Sequence, residues 1–329
     1  MVIFSYSSIG QWVAGGLIMI SETVLSRILE LLNYPSEDIH LIGGYFNNVY
    51  EISAVPPIVV KIFDRGIDSE EKIMSEIAWT QFLKENGVHV AVPILIRNES
   101  YIYSLTEELF FVAYKKVNGR HIDINHEDWN DKLFHQWGRG MGTMHSLSKL
   151  YKGKYGRPEW NEHPMYQLDM NHFDPTIKEK WENYLVGIHS IHKSKDSYGI
   201  IHGDLHQHNF LYDKGELAFI DFGDSECNWF AYDIAIAIYH ASQSYAMDKR
   251  NKFASSFFNA FIDGYSMVNS VDETLNSIDF FVNFRHLYSF VYHTQYSDRT
   301  KLNERQLQYL EDMKLSILNH DSYLGVRLV

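Results

Sequence analysis

The chain has 329 residues, of which 45% are hydrophobic and 15% aromatic, enough to bury the core of one or two domains. Its 42 acidic and 29 basic residues give a formal net charge of −13, which argues against nucleic acid or an anionic membrane as a partner, because phosphate surfaces select for an excess of Lys and Arg. The single cysteine, Cys227, excludes an internal disulfide and a multi-cysteine zinc site, and it fits a reducing cytoplasm.

The first twenty residues contain an apolar stretch and a second possible start. Residues 12–20 are apolar but fall short of the roughly 18 residues that a membrane span needs. No Lys or Arg precedes them, so the stretch also lacks the basic start of a signal peptide. Met19 comes just before Ser21, a residue suited to cap a helix. Translation could therefore begin at Met1 or at Met19.

A helix and then several strands are predicted for the next hundred residues. Residues 21–33 have apolar side chains at helical spacing. Strands are predicted at residues 39–43, 47–53, 58–63, 90–97, 101–105 and 109–114. The turn between the first two contains Gly43, Gly44 and Asn47. A glycine-bearing hairpin of this kind could present backbone N–H groups to phosphate oxygens, and an ordinary hairpin is the alternative.

The third predicted strand has a lysine at its centre. Lys61 is flanked by branched apolar residues, and a buried ammonium needs an anionic partner. The alternative is an edge strand whose lysine reaches water. The following helix is predicted over residues 70–86, with cap signals at both ends. It carries Glu76, whereas Glu70 and Glu71 lie in its first turn and can serve the helix dipole.

After residue 114 the pattern becomes helical. Helices are predicted over residues 137–150, 178–194, 233–239, 253–265, 276–296 and 304–319. The first of them has Gly138, Gly140 and Gly142 within little more than one turn, which permits close packing. Residues 151–175 have little periodicity and many aromatic, acidic and turn residues. They are predicted to form a long ordered loop, and such loops are often functional.

The most informative stretch is residues 201–210, which read Ile-His-Gly-Asp-Leu-His-Gln-His-Asn-Phe. A second motif, Ile-Asp-Phe-Gly-Asp, follows at residues 220–224. Between them, two short apolar strands and a glycine-bearing turn predict a hairpin. This hairpin would bring Asp221 beside Asp204 and Asn209. One of the three side chains can accept a proton from a hydroxyl, and two can hold a hard divalent cation such as Mg²⁺. The alternative is a buried polar hairpin without chemistry.

These motifs carry a family resemblance. Asp204 and Asn209 have the spacing of the kinase catalytic loop, and Asp-Phe-Gly at residues 221–223 has the form of the kinase metal-binding triplet. With its His-Gly-Asp-Leu-His opening, the chain resembles the group of aminoglycoside phosphotransferases, choline kinases and homoserine kinases. It is most similar to the bacterial homoserine-kinase-type and stress-response-kinase-like branch. The resemblance covers roughly residues 39 to 300.

The resemblance implies an α+β, protein-kinase-like fold with two lobes. An N-lobe of antiparallel sheet plus helix would occupy residues 1–113, and the hinge and a larger, mainly helical C-lobe would occupy residues 114–329. The resemblance also implies that Lys61 holds the phosphates of ATP and pairs with Glu76, that Asn209 and Asp221 bind Mg²⁺, and that Asp204 is the catalytic base.

The remaining nucleotide contacts are likewise implied by the resemblance. The glycine-bearing turn would cover the phosphates, and backbone groups of the hinge would bind the adenine. The residues concerned are Gly43, Gly44 and Asn47 in the turn, and Tyr114, Lys115 and Val117 in the hinge. Lys115 departs from the acidic residue expected at the start of the hinge, which leaves ATP and GTP both open.

Several further residues near these motifs have two interpretations each. Asp233 could cap a helix, or, by the resemblance, brace the catalytic loop around His202. His145 is interpreted as structural. The three histidines at positions 202, 206 and 208 are interpreted as loop packing rather than zinc ligands, because no second His/Cys cluster accompanies them.

The predicted function is ATP- and Mg²⁺-dependent phosphorylation of a hydroxyl on a small metabolite. Acidic residues (162, 169, 174, 224 and 226) and aromatic residues (160, 166 and 229) are predicted around the acceptor side, which favours an amine-bearing acceptor of the aminoglycoside, amino alcohol or homoserine type. The alternative is that these acidic residues form a solvated surface without a role in binding. A protein Ser/Thr kinase would need an open groove, whereas residues 151–175 are placed to close over a small pocket. A non-catalytic nucleotide-binding scaffold is disfavoured, because the four polar residues that the reaction needs are all present: Lys61, Asp204, Asn209 and Asp221.

Overall fold

An antiparallel sheet with one helix on each face forms the N-terminal part of the fold. A computed structural model describes residues 20–44, 47–96, 99–153 and 156–329. The sheet has the strand order β1-β2-β3-β5-β4, with β1 (Ile39–Gly43), β2 (Val49–Ile52), β3 (Ile58–Asp64), β4 (Ile102–Ser104) and β5 (Leu109–Lys115). The helices are α1 (Glu22–Leu32), which Ser21 caps as predicted, and α2 (Glu70–Glu85).

Strand β3 distributes its side chains between the two faces of the sheet, since successive residues of a strand point in opposite directions. Val60 and Ile62 pack in a cluster with α1, and Phe63 packs in a second cluster with α2. Lys61 shares the face of Phe63 and α2. Because β3 is the central strand, the interpretation of Lys61 as an edge lysine is wrong.

The strand predicted at residues 90–97 does not form. Val90, Pro93 and Ile96 make isolated bridges to three different segments instead. The physical reason is Pro93, which has no N–H group to donate to a ladder. Residue 97 lies outside the described residues.

Helices dominate the C-terminal part. They are α3 (Asp131–Ser148), α4 (Pro175–Ser190), α5 (Phe230–Gln243), α6 (Met247–Ser266), α7 (Asp272–Leu275), α8 (Ile278–Tyr296) and α9 (Glu304–Leu318). The close packing predicted for the glycines of α3 is confirmed, because Gly138 lies directly against the backbone of Phe261 in α6. Within the described ranges, none of the helices combines the length and the apolar character that crossing a membrane would require.

Two small two-stranded sheets complete this part. Strands β6 (Tyr198–Ile201) and β9 (Glu226–Trp229) form one of them, which the sequence did not indicate. Strands β7 (Phe210–Asp213) and β8 (Glu216–Phe219) form the predicted hairpin, with Lys214 and Gly215 at positive φ in its turn. The α+β organisation is confirmed, whereas the division of the chain between residues 113 and 114 stays a prediction.

Candidate active site

The β7–β8 hairpin brings the key polar residues together. Phe210 pairs with Phe219, and the next residue, Ile220, donates its N–H to the carbonyl of Asn209 over 3.0 Å. Asn209 Nδ2 in turn donates to the carbonyl and to Oδ2 of Asp204, over 2.8 and 3.3 Å. The predicted convergence of Asp204, Asn209 and Asp221 is therefore confirmed, and their chemical roles stay predictions.

Asp204 is buried and its two carboxylate oxygens are held separately. Oδ1 lies 3.2 Å from Nη2 of Arg285, and Oδ2 lies 3.2 Å from Nε2 of His206. Arg285 belongs to α8, and the sequence analysis missed it. The signal available was an arginine in the middle of a helix whose neighbouring residues are mostly aromatic or aliphatic.

Asp233 fixes the backbone of the loop that begins at His202. The carboxylate accepts the backbone N–H groups of His202 and Gly203, over 3.0 and 3.1 Å, and it contacts His145 Nε2 at 3.0 Å. Burial alone would raise the pKa of Asp233, but these hydrogen bonds hold the pKa below its usual value. The brace interpretation is confirmed. The cap interpretation is wrong, because α5 begins at Phe230 and Asp233 lies inside its first turn.

Lys61 contacts the Asp-Phe-Gly triplet at residues 221–223 directly. Its Nζ lies 2.8 Å from Oδ1 of Asp221, a residue held at a φ of 61°. A non-glycine residue in this left-handed region is uncommon and is typical of functional sites. Burial alone would lower the pKa of Lys61, but the carboxylates of Asp221 and Glu76 raise it above its ordinary value.

Glu76 lies close to the ion pair of Lys61 and Asp221 but does not form the direct contact with Lys61. Its Oε2 and the Nζ of Lys61 lie 3.9 and 4.0 Å from the point where a Cβ atom of Gly223 would stand. Glu76 is buried, whereas Glu70 pairs with Arg65 at the helix start. The preference for Glu76 over Glu70 thus agrees with the geometry, but the direct partner of Lys61 in this structure is Asp221.

Arg157, which the sequence analysis also missed, ties α2 to the triplet. The buried guanidinium donates to Ser75 Oγ and to the carbonyl of Lys72 in α2, over 2.8 and 3.2 Å. The same group donates to the backbone carbonyls of Phe222, Gly223 and Ser225, over 3.4, 3.0 and 2.7 Å. These five bonds use all five N–H groups of arginine. Arg157 therefore fixes the helix that carries Glu76 against the residues that follow Asp221.

The predicted nucleotide turn leads into the strand position beside Lys61. Gly43, Gly44 and Asn47 all have positive φ, and Asn47 donates its N–H to the carbonyl of Gly44 over 3.0 Å. Residues 45 and 46 lie outside the described residues. Val49 then pairs with Lys61 across β2 and β3. This arrangement places the turn at the Lys61 side of the sheet, and phosphate binding by the turn stays a prediction.

The predicted hinge follows strand β5. Tyr114 pairs with Val59, and burial raises the pKa of its hydroxyl, with the nearby carboxylate of Glu76 adding to the shift. Lys115 is the last residue of β5 and is exposed, and Val117 is half-buried. Adenine binding by these three residues stays a prediction.

A pocket of about 110 Å³ opens beside Asp204. Its walls come from the loop after α3, the catalytic loop, β9, α5 and α8. The lining residues are His163, Tyr166, Gly203, Asp204, Asp224, Glu226, Tyr232, Arg285, Tyr288 and Tyr292. The prediction that residues 151–175 close over a small pocket is confirmed through His163 and Tyr166.

The predicted acidic and aromatic set around the acceptor is confirmed only in part. Asp224, Glu226 and Tyr166 line the pocket, but the other members are placed elsewhere. Glu162 is exposed, Asp169 caps a three-residue helical turn, Asp174 caps α4, and Trp160 and Trp229 are buried with their ring centroids 5.7 Å apart. Trp160 and Trp229 therefore belong to the hydrophobic core, where their large apolar surfaces are removed from water.

The carboxyl groups of the pocket are electrostatically coupled. Burial raises the pKa of Glu226 to about 8, with Asp224 adding to the shift and a hydrogen bond from Asn228 opposing it. Desolvation in the cleft also raises the pKa of Asp224, and the charges of Asp204 and Asp221 act in the same direction. Burial lowers the pKa of His163 to about 4, so this ring is neutral near pH 7. Near pH 7 the Glu226 carboxyl is therefore largely protonated, and the negative charge of the pocket grows as the pH rises through about 8.

Asn209 and Asp221 have the donor atoms that a hard divalent cation needs. Because Asn209 uses its amide nitrogen toward Asp204, its oxygen faces the other way and can act as a ligand. Asp221 offers a second carboxylate oxygen beside the one that contacts Lys61. Two protein oxygens with the remaining positions left to water and phosphate suit Mg²⁺. The residues present thus fit a magnesium ion.

The chain is similar in sequence to known phosphotransferases. The sequence pattern of the phosphotransferase enzyme family matches residues 38–269, more than half of the chain. Amicoumacin kinase of Bacillus subtilis (strain 168) is 28% identical over 311 residues, which cover 91% of this chain and 92% of that protein.

The fold has counterparts among solved kinase structures. The amicoumacin kinase hAmiN, in complex with AMP-PNP, Ca²⁺ and Ami, superposes with a TM-score of 0.82 at 26% identity and covers 91% of this chain and 93% of that chain. A microcompartment-associated aminopropanol kinase superposes with a TM-score of 0.69 at 16% identity, covering 94% of this chain and 100% of that chain. These likenesses confirm the predicted kinase-like fold.

Proposed function

The chain belongs to the phosphotransferase enzyme family, and from this premise we propose that it transfers the γ-phosphoryl group of ATP, with Mg²⁺, to a hydroxyl of a small amine-bearing metabolite. The observation that carries the proposal is the arrangement of Asp204 between an acidic, aromatic pocket and the pair formed by Asn209 and Asp221. The similar protein hAmiN is described in complex with AMP-PNP and Ca²⁺, which supports a nucleotide and a divalent cation here.

The site residues have two kinds of role in the proposed reaction, alignment of the acceptor and neutralisation of charge. Asp204 faces the pocket, where it can orient the acceptor hydroxyl and accept its proton. Lys61 would neutralise the phosphates that are not transferred, and Asn209 and Asp221 would hold the metal ion. When bound, Mg²⁺ supplies charge neutralisation of the phosphate oxygens. Phosphoryl transfer asks a protein mainly for positioning and electrostatic stabilisation, and these groups provide both.

The pocket favours a small acceptor with an amine. Its volume of about 110 Å³ and its cover of residues from the 151–175 loop disfavour a protein substrate. Asp224 provides negative charge and Glu226 adds to it above a pH of about 8, and Tyr166, Tyr232 and Tyr288 provide aromatic faces, a combination that attracts a cation. The similar proteins are named as kinases of amicoumacin and of aminopropanol, which makes these compounds the first acceptors to test.

An acceptor panel tests the proposal. The panel contains amicoumacin, aminopropanol, aminoglycosides, choline and homoserine, with neutral sugars and a serine-containing protein as comparisons, each assayed for ADP release with ATP and Mg²⁺. We expect turnover on at least one amine and none on the protein. Faster turnover on neutral sugars than on every amine, or phosphorylation of protein serines alone, would contradict the proposal.

Charge in the pocket predicts how the amine is bound. Above a pH of about 8, where Glu226 is ionised, Glu226→Gln should raise the KM of an amine acceptor roughly 5-fold to 30-fold, a loss of ~1–2 kcal/mol in charge attraction and cation–π alignment. The wild-type KM should rise with ionic strength, because salt screens accessible charges. It should also fall as the pH rises through about 8, where the Glu226 carboxyl ionises, for an amine that stays protonated there.

Glu162→Gln is the matched control, because Glu162 is an exposed acid next to His163 of the pocket and does not line the pocket itself. It should leave the KM and its pH dependence unchanged. Equal effects of the two substitutions would assign the charge effect to the surface rather than to the pocket.

Lys61 and Glu76 should act as one unit in nucleotide use. Lys61→Met and Glu76→Gln together should lower kcat/KM for ATP by less than the sum of the two single effects, with a coupling of ~0.5–3 kcal/mol, since both charges lie beside Gly223. The measurement is a double-mutant cycle. Glu70→Gln serves as the control, because Glu70 pairs with Arg65, and its effect should add to that of Lys61→Met. Strict additivity with Glu76→Gln would remove Glu76 from the nucleotide site.

Arg157 should matter for nucleotide use rather than for the acceptor. Arg157→Met should lower kcat/KM for ATP by ~10-fold or more and leave the acceptor KM unchanged, because a shift of about 1 Å in positioned groups can cause a 10²-fold loss. Arg157→Lys should recover little, since one ammonium cannot span five acceptors. Arg65→Met is the control, because Arg65 binds the first turn of the same helix through Glu70. If folded Arg157→Met keeps the wild-type kcat/KM for ATP, the brace is purely structural.

A further inference from the structure

We propose that Arg285 is a positioning residue of the phosphoryl-transfer reaction, which holds the Asp204 carboxylate in the orientation that receives the proton of the acceptor hydroxyl. The proposal rests on the proposed function, in which Asp204 is the base. It adds a residue from α8, far along the chain from both kinase-like motifs.

The guanidinium of Arg285 is itself fixed by its neighbours. Nη2 lies 3.2 Å from Asp204 Oδ1 and 3.2 Å from His240 Nε2, and Nη1 donates to the Tyr232 hydroxyl over 3.3 Å. Its central carbon lies 5.3 Å from the centroid of the Tyr288 ring. Contacts with α5, α8 and the catalytic loop therefore leave the buried group little freedom to turn.

The second oxygen of Asp204 is held from the other side. His206 Nε2 lies 3.2 Å from Oδ2, and Asn209 Nδ2 donates to the same oxygen over 3.3 Å. With one oxygen bound by Arg285 and the other by the loop, rotation of the carboxylate about its Cβ–Cγ bond is restricted. Without Arg285, the loop contacts alone would have to set that rotation. A base that must meet a hydroxyl within hydrogen-bond distance depends on this kind of restriction.

Arg285 also supplies charge where carboxylates meet. Asp204, Asp224 and Glu226 all line the pocket, and charges that are removed from water need a partner of opposite sign. The planar guanidinium can serve Asp204, His240 and Tyr232 at once, which a lysine ammonium on a flexible stem would do less well. The geometry thus favours arginine over lysine at position 285.

The test compares Arg285→Met and Arg285→Lys with the wild type, using an acceptor that the wild type phosphorylates. Arg285→Met should lower kcat ~10²-fold, since misplacement of a catalytic group by about 1 Å has an effect of this size. The KM of ATP and that of the acceptor should change by less than ~3-fold, because ground-state binding is kept. Arg285→Lys should recover part of kcat. Arg250→Met is the matched control: Arg250 stacks on Tyr323, a contact that is not part of the pocket, and kcat should stay at the wild-type value.

Three results would overturn the inference. Wild-type kcat in folded Arg285→Met would show that Asp204 needs no such support. A rise in acceptor KM at unchanged kcat would make Arg285 a substrate ligand instead. Should both variants fail to fold, Tyr232→Phe removes one hydrogen-bond partner of Arg285 and keeps its charge; it should lower kcat several-fold, and an unchanged kcat would equally reject the inference. Absence of ADP release by the wild type with every acceptor would instead reject the proposed function.

Discussion

Asp204→Asn is expected to lower kcat by at least ~10²-fold, within the range for loss of a general base, while Mg·ATP still binds. The reason is geometric: Asp204 is the carboxylate of the catalytic loop that both faces the pocket and lies against Asn209. Asparagine keeps the shape and one acceptor oxygen, but its NH₂ group cannot accept from Arg285 or Asn209, and the side chain cannot take up the proton of a hydroxyl. The measurements are kcat with a saturating acceptor and the Kd of Mg·ATP.

Asp224→Asn is the informative comparison for this result. Asp224 lines the same pocket, so its loss should affect the acceptor KM more than kcat. If Asp204→Asn retains turnover but loses nucleotide affinity, the roles assigned to Asp204 and Asp221 are exchanged. If Asp224→Asn shows the larger loss of kcat, the base is Asp224.

Asp221→Asn is expected to lower kcat/KM for ATP by ~10²–10³-fold, the size of effect found when a preorganised electrostatic group is removed from a reaction centre. The substitution weakens a proposed metal ligand and removes the anionic partner that lies 2.8 Å from Lys61. Carboxylate charge is a main source of affinity for a hard cation. We therefore expect the Mg²⁺ concentration for half-maximal activity to rise, and excess Mg²⁺ to restore part of the activity.

Lys61→Met separates the two effects of Asp221→Asn. It breaks the same ion pair and leaves the carboxylate of Asp221 in place. Its activity should fall without a comparable rise in the Mg²⁺ requirement. A wild-type Mg²⁺ dependence in Asp221→Asn would argue that Asp221 serves Lys61 rather than a metal ion.

The sequence by itself determined the features that depend on neighbouring residues. The spacing of Asp204, Asn209 and Asp221 around a glycine-bearing turn predicted the hairpin, because strand register follows from turn length over a few residues. Branched apolar neighbours placed Lys61 in a strand, and cap residues marked the start of α1 and both ends of α2. Each of these signals is local, and the structure agrees with each of them.

Only the tertiary structure decided which side chains meet across the fold. Lys61 contacts Asp221, which is 160 residues away, and Arg285 contacts Asp204 across 81 residues. Arg157 reaches residues of α2 and of the triplet, 82 and 66 residues away in the two directions. Such contacts depend on how whole helices and sheets pack, and a single charged residue in a loop or an apolar helix gives no local sign of its partner. The proposed catalytic groups could therefore be predicted from their spacing, whereas the arginines that contact them were found only in the tertiary structure.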